Sequence, residues 1–366
     1  MRNREAIVIL KLDNNGDLIF TKNIDLGLGS NYVMGSTKTF EGGFALTGYT
    51  DSRGQGYNDV SLVKLNSAGD TTWIKTYGGT QNDNGFSISQ NRDSGFIITG
   101  ITGSFNTQIG DFYTIRTDKN GDTLWTRTFG FTNADNAVSA KETSDGGFVV
   151  AGTSWDTLAG HNDIYLIKYD SSGNLLWNKR LKQNVENFAS GLQILSDGKI
   201  VISGTIIRGP GYNAYLILAN DIGDTLWTKE FGKPNHSEQT YSLALTSDGG
   251  YILSGSTDDI VAVAYLVKVD STGNLLNFIN TIYSKNLFVL YPNPAWNKIQ
   301  ISGGEENNFQ YIKYQIYNAL GSMVSSGYLE GNSNEIDLIG IKPGVYFISL
   351  FTNEKYSQTI KFILTP

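Results

Sequence analysis

Residues Asp163 to Trp177 read Asp-Ile-Tyr-Leu-Ile-Lys-Tyr-Asp-Ser-Ser-Gly-Asn-Leu-Leu-Trp. Tyr165, Ile167 and Tyr169 alternate with Leu166 and Lys168, the two-residue period of a β-strand. Asp170 to Gly173 is a tight-turn sequence in which Gly173 is free to take positive φ. Asn174 to Trp177 then opens a return strand, so the stretch is a β-hairpin. The same unit recurs at 111–125 and 59–73, and more loosely at 214–227, 265–277 and 6–20. A second hairpin lies between these, at 135–152, with counterparts at 83–100, 186–204, 238–255 and 31–48. Each repeat is therefore two hairpins over about 50 residues, the length and strand count of one β-propeller blade.

Labelling the strands of a repeat A to D, complete units run approximately over 31–77, 83–129, 135–182, 186–232 and 238–280. The fold class is all-β: a β-propeller of about 50-residue four-stranded blades, five complete plus an N-terminal half blade, followed by a small β-sandwich. Strand A carries small residues (Ser87 and Ser89, Ala137 and Ser139, Ala189 and Gly191, Ser242 and Ala244), which suits the crowded axis of a propeller. Trp73, Trp125, Trp177 and Trp227 fall at one place in strand D, and packing between blades is their expected work. The hairpin at 6–25 has no A–B hairpin before it. A closed ring needs those strands, because an open edge invites pairing, so the propeller region 1–280 reads as N-terminally truncated, with six blades as its smallest completion. Ala6 to Leu10 is too short for the apolar core of a signal peptide and runs into the Asp13 turn.

The 366 residues include no cysteine, which excludes disulfides, thiolate zinc sites and thiol nucleophiles. The net charge of −7, with both signs interspersed, argues against a nucleic-acid partner. No apolar run approaches the length of a membrane span.

After a linker at 281–290 the pattern changes. Tyr291, Pro292, Asn293 and Pro294 open a segment of short strands punctuated by turns at Asn318–Gly321 and Lys342–Gly344. This segment, 291–366, resembles the C-terminal sorting domain (type A) of the type IX secretion system of Bacteroidetes. The residues that carry the resemblance are Tyr291 to Pro294, Ile316 to Gly321, Ile341 to Tyr346 (with Pro343, Gly344 and Tyr346) and the final strand with Lys361. The resemblance implies export to the periplasm, recognition by the type IX secretion machinery, and a place in the medium or on the outer cell surface. It also implies a signal peptide, which this chain lacks and which truncation would explain. The repeats are similar to those of secreted bacterial β-propellers, in Trp73 to Gly79, Asp83, Asp93 to Gly95 and Ile98 to Thr102. They are distantly similar to quinoprotein repeats in the spacing from Gly173 to Trp177. Neither likeness carries an activity.

Two groups of side chains are candidates for chemistry. Asp83, Asp135, Glu186 and Glu238 precede strand A in successive blades, and Asp59, Asp111 and Asp163 precede strand C. D–A and B–C connections share one face of a propeller, so these carboxylates could ring one mouth of the central channel and hold calcium. Alternatively each accepts backbone N–H bonds and fixes a turn. The B–C loops, read as long at 49–58, 102–110, 153–162 and 205–213, carry Tyr57, Phe105, Trp155, His161, Arg208 and Tyr212. Variable aromatic loops on a rigid scaffold are where a ligand face would sit, with Trp155 and Tyr212 suited to stacking on a sugar ring. No catalytic or metal motif is recognisable around the two histidines, and no cofactor is implied. The expectation is a noncatalytic surface or secreted protein that binds a glycan or protein. The alternatives are a carbohydrate-active hydrolase on the same scaffold and a structural adhesion component.

Overall fold

The computed structural model describes residues 7–365 except 14–15, 106–109, 132, 158–159, 210, 233–235, 259–261, 280–287, 304–310, 320, 331–334 and 353–354. The half blade is a two-stranded sheet of β1 (Ile7–Leu12) and β2 (Leu18–Ile24). Five antiparallel four-stranded sheets follow, each in chain order. The first blade is β3 (Asn31–Lys38), β4 (Phe44–Thr50), β5 (Asp59–Leu65) and β6 (Thr71–Tyr77). The second is β7 (Asp83–Gln90), β8 (Phe96–Thr102), β9 (Asp111–Thr117) and β10 (Thr123–Phe129). The third is β11 (Asp135–Glu142), β12 (Phe148–Asp156), β13 (His161–Tyr169) and β14 (Leu175–Leu181). The fourth is β15 (Asn187–Ile194), β16 (Ile200–Arg208), β17 (Gly211–Ala219) and β18 (Thr225–Phe231), and the fifth is β19 (Glu238–Leu245), β20 (Tyr251–Asp258), β21 (Ala262–Val269) and β22 (Leu275–Ile279).

Local chemistry sets each hairpin. At the turn between β13 and β14, Asp170 Oδ1 accepts from the N–H groups of Ser172 and Asn174 at 2.9 and 2.8 Å, and Gly173 takes φ 80°. Between β11 and β12, Gly147 N–H donates to Asp145 Oδ1 at 2.9 Å. Strand A of every complete blade carries a one-residue bulge, as between Ala137 and Ser139, which sharpens its twist. In the third blade strand B is buried on both faces, Phe148 to Ser154 without interruption, because another blade covers each side.

The apolar core is accordingly a series of slabs between neighbouring blades rather than one body. Ala151, Leu166, Ile200, Ile202 and Ile217 fill the slab between the third and fourth blades, and Val201, Leu216, Leu253 and Val267 the next. The inner strands pack in sequence, β3 on β7, β7 on β11, β11 on β15 and β15 on β19. Residues of all five surround one cavity of about 260 Å³, the central channel. Met34 on β3 and Tyr241 on β19 remain 55% and 61% exposed and mark the two ends of the arc.

The chain forms two compact units, one of Met1–Ile7 with Asn23–Asn280 and the other of Val8–Lys22 with Thr281–Pro366. The β1–β2 hairpin thus groups with the tail, which departs from a boundary at 280. Within this second unit a methyl group on Gly16 would lie 2.9 Å from Ala319 Cβ. Val8, Leu10, Leu12, Leu18 and Ile19 of the hairpin are exposed, so it does not bury a blade-like pair of faces.

The tail forms two sheets. One has the order β23 (Phe288–Tyr291), β24 (Lys298–Gly303), β27 (Glu335–Asp337). The other has the order β26 (Met323–Glu330), β25 (Tyr311–Asn318), β28 (Gly344–Thr352), β29 (Lys355–Leu364). Phe288, Ile299, Ile316, Ile336, Ile348, Leu350 and Phe362 fill the space enclosed, the arrangement of a small sandwich.

Candidate ligand-binding face

Strand A of each blade opens on a buried polar residue: Asn31, Asp83, Asp135, Asn187 and Glu238. Register makes these equivalent, pairing them with Thr50, Thr102, Ser154, Ile206 and Thr257. The fourth-blade counterpart is therefore Asn187. Glu186, expected there, lies one residue earlier and accepts from Asn162 Nδ2 at 2.7 Å.

The last four of these groups each meet, across a blade junction, a polar residue in the first turn of strand C of the preceding blade: Asp59, Asp111, Asp163 and Asn213. A methyl group on Gly78 would collide with both Asp59 and Asp83, and one on Gly130 with both Asp111 and Asp135. At the next junction Asn187 Nδ2 donates to Asp163 Oδ1 at 2.8 Å, and at the last Asn213 and Glu238 flank Gly232. Asp83 Oδ2 accepts from Gly79 N–H at 2.7 Å and Ser104 Oγ at 2.8 Å, Asp59 Oδ2 from Gly56 N–H at 2.9 Å, and Asp135 Oδ2 from Phe131 N–H at 2.5 Å. Burial pushes Asp59, Asp111 and Asp135 above the ordinary carboxylate range, and the facing charges of Asp83 and Asp135 add to the shifts at Asp59 and Asp111. Burial also raises Asp163, against the pull of the Asn187 amide and His161. Arg180 contacts both Asp156 and Asp163.

The acidic positions are thus inter-blade groups, and none of them lines the central channel. Asp59, Asp83, Asp135, Asp163 and Glu238 are buried at these junctions, and Asp111 and Glu186 are half-buried. Among the described residues no group of three or more His, Cys, Asp or Glu is placed to hold a metal ion.

The loop face differs from its expected form too. In the third and fourth blades the strands run on: Trp155 pairs with Asn162, Asp156 with His161, Ile207 with Tyr212 and Arg208 with Gly211. The β-branched run through Ile206 and Ile207 continues the ladder, so these connections are extended hairpins. Trp155 lines a cleft of about 650 Å³ with Asn133, Asn136, Asn162 and Phe188. Ala134, Val138, Thr153 and Ala189 complete the lining. The D–A connection, the ends of β12 and β13, and the start of β15 all contribute, so the cleft straddles the junction of the third and fourth blades.

The other loop residues lie elsewhere. Tyr57 is 72% exposed. Tyr212 is half-buried on β17 and outside the cleft lining. Arg208 forms an ion pair with Glu230 of its own blade. His161 Nδ1 lies 3.2 Å from the Asn162 carbonyl oxygen and 3.7 Å from Asp163 Oδ1. Sequence reasoning found Trp155 but not its three asparagines or Phe188. Asn136 was visible only as the partner of Asp135 in the Asp-Asn repeat.

The strand-D tryptophans sit at the outer junctions. Gly121 abuts Trp73, Gly173 abuts Trp125, Gly223 abuts Trp177 and Gly273 abuts Trp227, each pair joining a blade to the turn of the next.

In the tail, Asn293 Oδ1 accepts from Ile363 N–H at 3.0 Å and its Nδ2 donates to the Lys361 carbonyl at 3.2 Å. The peptide bonds into Pro292 and Pro294 are cis. Tyr291 is exposed. Tyr346 stacks on Phe362 at 5.7 Å and donates to the Lys342 carbonyl at 2.7 Å, across the Pro343–Gly344 turn. Gly321 takes φ 80° in the Asn318 turn.

These features define a class: a β-propeller repeat protein with a C-terminal sandwich that carries an export address. Residues 289–365 match the secretion system C-terminal sorting domain. This is a type IX secretion tail, and it addresses the chain to the cell surface or the medium. The fold is similar to that of a protein of unknown function from Dyadobacter fermentans, with a TM-score of 0.50 and 11% identity over 89% of this chain and 98% of that one. The WD40 domain of Neurospora crassa Pan2 aligns over 90% of this chain and 88% of its own, with 11% identity and a TM-score of 0.44. In sequence, 170 residues, 40% of this chain, are 29% identical to the regulatory protein FlaEY of Caulobacter vibrioides. The match spans 17% of that protein's length.

Proposed function

We propose that this chain is a noncatalytic surface or secreted binding protein whose ligand is a neutral glycan held in the cleft between the third and fourth blades. The observation that carries the reading is the gathering of Trp155 with Asn133, Asn136 and Asn162 on the third-blade side of one cleft, closed by Phe188 and Ala189 of the fourth blade. An indole face covers the C–H face of a sugar ring, while amides, each both donor and acceptor, satisfy its hydroxyls. Among the described residues no carboxylate or cation lines the cleft, the nearby Glu186 carboxylate being engaged by Asn162 Nδ2, which favours an uncharged ligand. The cleft volume lies in the range of small-molecule sites.

A hydrolase would draw on Asp59, which lines a separate cavity of about 540 Å³ with Tyr77, Phe105 and Tyr113. The same carboxylate pairing recurs at Asp111 and Asp135, and that repetition favours a structural role for the pair. The type IX secretion machinery is the partner that the tail implies, through the residues from Tyr291 to Tyr346.

The test is a titration of the purified chain with a panel of neutral oligosaccharides, read by tryptophan fluorescence and calorimetry. Trp155→Ala should weaken binding by about tenfold or more, the loss of one stacked ring. Absence of binding across the panel, or equal affinity in the variant, rejects the reading.

A further inference from the structure

The central channel holds a cation that the blade repeat does not explain. Lys141 on β11 lines both the 260 Å³ channel cavity and a wider cavity of about 620 Å³ at the A–B turn end, so it stands in the throat between them. The equivalent places in the first, second and fourth blades are Thr37, Ser89 and Gln193, all uncharged. Lys141 Nζ donates to Ser89 Oγ at 2.7 Å, and among the described residues it makes no ion pair. Of the other charged groups facing this space, Glu142 is taken up by Arg92, through its N–H at 2.8 Å and its Nε at 3.2 Å. Ser36, Ser87 and Ser139 also line the channel.

A buried charge is ordinarily matched by a partner. Here, among the described residues, the ammonium meets the neutral Ser89 hydroxyl and no carboxylate, and the serine hydroxyls around it are able to donate. We propose that the channel throat is a binding site for a small oxyanion, held by the Lys141 ammonium and the serine hydroxyls of neighbouring inner strands. The space exceeds the roughly 30 Å³ that one water takes in the liquid severalfold, which admits a sulfate, phosphate or carboxylate group. The chain as a whole is negative, at −7, so its overall field does not collect anions and the attraction is local. Burial pulls Lys141 below its ordinary range, and an anion in the throat would restore the charged form. The group could come from a free inorganic ion or from an acidic saccharide. The site lies apart from the cleft at Trp155 and stands independently of the function proposed for it.

Equilibrium dialysis of the full chain with radiolabelled sulfate, at neutral pH and constant ionic strength, tests this. A single saturable site is expected, weakened about tenfold or more in Lys141→Met and unchanged in the surface control Lys75→Met. Competition by glucuronate as well as phosphate identifies an acidic saccharide as a source, and competition by phosphate alone identifies a free ion. Protection supplies a readout that does not depend on the variant folding: sulfate should slow acetylation of Lys141 by dilute acetic anhydride severalfold relative to Lys75, measured by peptide mass spectrometry. Absence of saturable binding, binding that survives Lys141→Met, or unprotected Lys141 overturns the proposal.

Discussion

Trp125 and Gly173 meet face to face across the junction of the second and third blades. A methyl group on Gly173 would lie 2.7 Å from Trp125 Cδ2. The indole Nε1 donates to the Ser171 carbonyl at 3.1 Å, and Arg127, over the same ring, donates to the Gly173 carbonyl at 2.6 Å. Glycine is required twice at this turn, for its positive φ and for the ring beside it.

The clasp gives paired expectations. Trp125→Ala removes a buried ring and should cost about 3–5 kcal/mol. Gly173→Ala forces a non-glycine residue into the left-handed region and should cost about 1–3 kcal/mol, with overlap on the ring in addition. In the double variant the overlap disappears, so its cost should be less than the sum of the two single-variant costs. Urea unfolding of the four proteins measures this, and strict additivity would deny the contact.

Asp135 should be a stability liability near neutral pH. Its folded-state pKa lies above the unfolded value because it is buried. The folded chain therefore binds the proton more tightly, and stability falls as pH rises through the ordinary carboxylate range up to the folded pKa. Asn187 fills the equivalent place in the next blade, so the site accepts an amide. Asp135→Asn should raise the melting temperature at neutral pH, and the difference should vanish at acid pH. A lower melting temperature at neutral pH would show that the carboxylate is needed as an anion.

Arg180 answers two acids at once. Arg180→Met leaves Asp156 and Asp163 without their cation, and stripping one partner from such a buried group costs about 3–5 kcal/mol. Because protonation neutralises the stranded carboxylates, part of the loss should return as pH is lowered. Denaturant midpoints across a pH series measure both effects, and a loss independent of pH would point to packing instead.

Removal of residues 289–366 should leave the repeats in place and abolish delivery to the surface or medium of a Bacteroidetes host. Immunoblots of surface, medium and periplasmic fractions read the outcome, and normal delivery of the shortened chain would refute the sorting role of the tail.

Much of this architecture was legible because its causes are local. Asp170, Gly173 and Trp177 carry their reasons within one hairpin, and repetition multiplies the signal. The sorting tail was legible from Tyr291 to Tyr346 for the same reason. Placement across junctions was not. Whether Asp83 faces the axis or a neighbour depends on how the next blade packs, and no spacing encodes that. The one-residue difference between Glu186 and Asn187 is set by pairing to Ile206, which the acidic pattern hides. The cleft gathers Asn133, Asn162 and Phe188 from separate elements, and each is an ordinary residue in its own strand or loop. Lys141 was overlooked because the axial strand was read for its small residues alone.

The core laid down as slabs between adjacent blades has an evolutionary corollary. Every slab is completed by two neighbours, so no single one records how many there are. A gene duplication that inserts a unit creates one more boundary of the same kind and disturbs no distant packing. The lineage can therefore lengthen or shorten its array and vary individual boundaries, such as the one bearing Trp155, while the tail that directs export stays as it is.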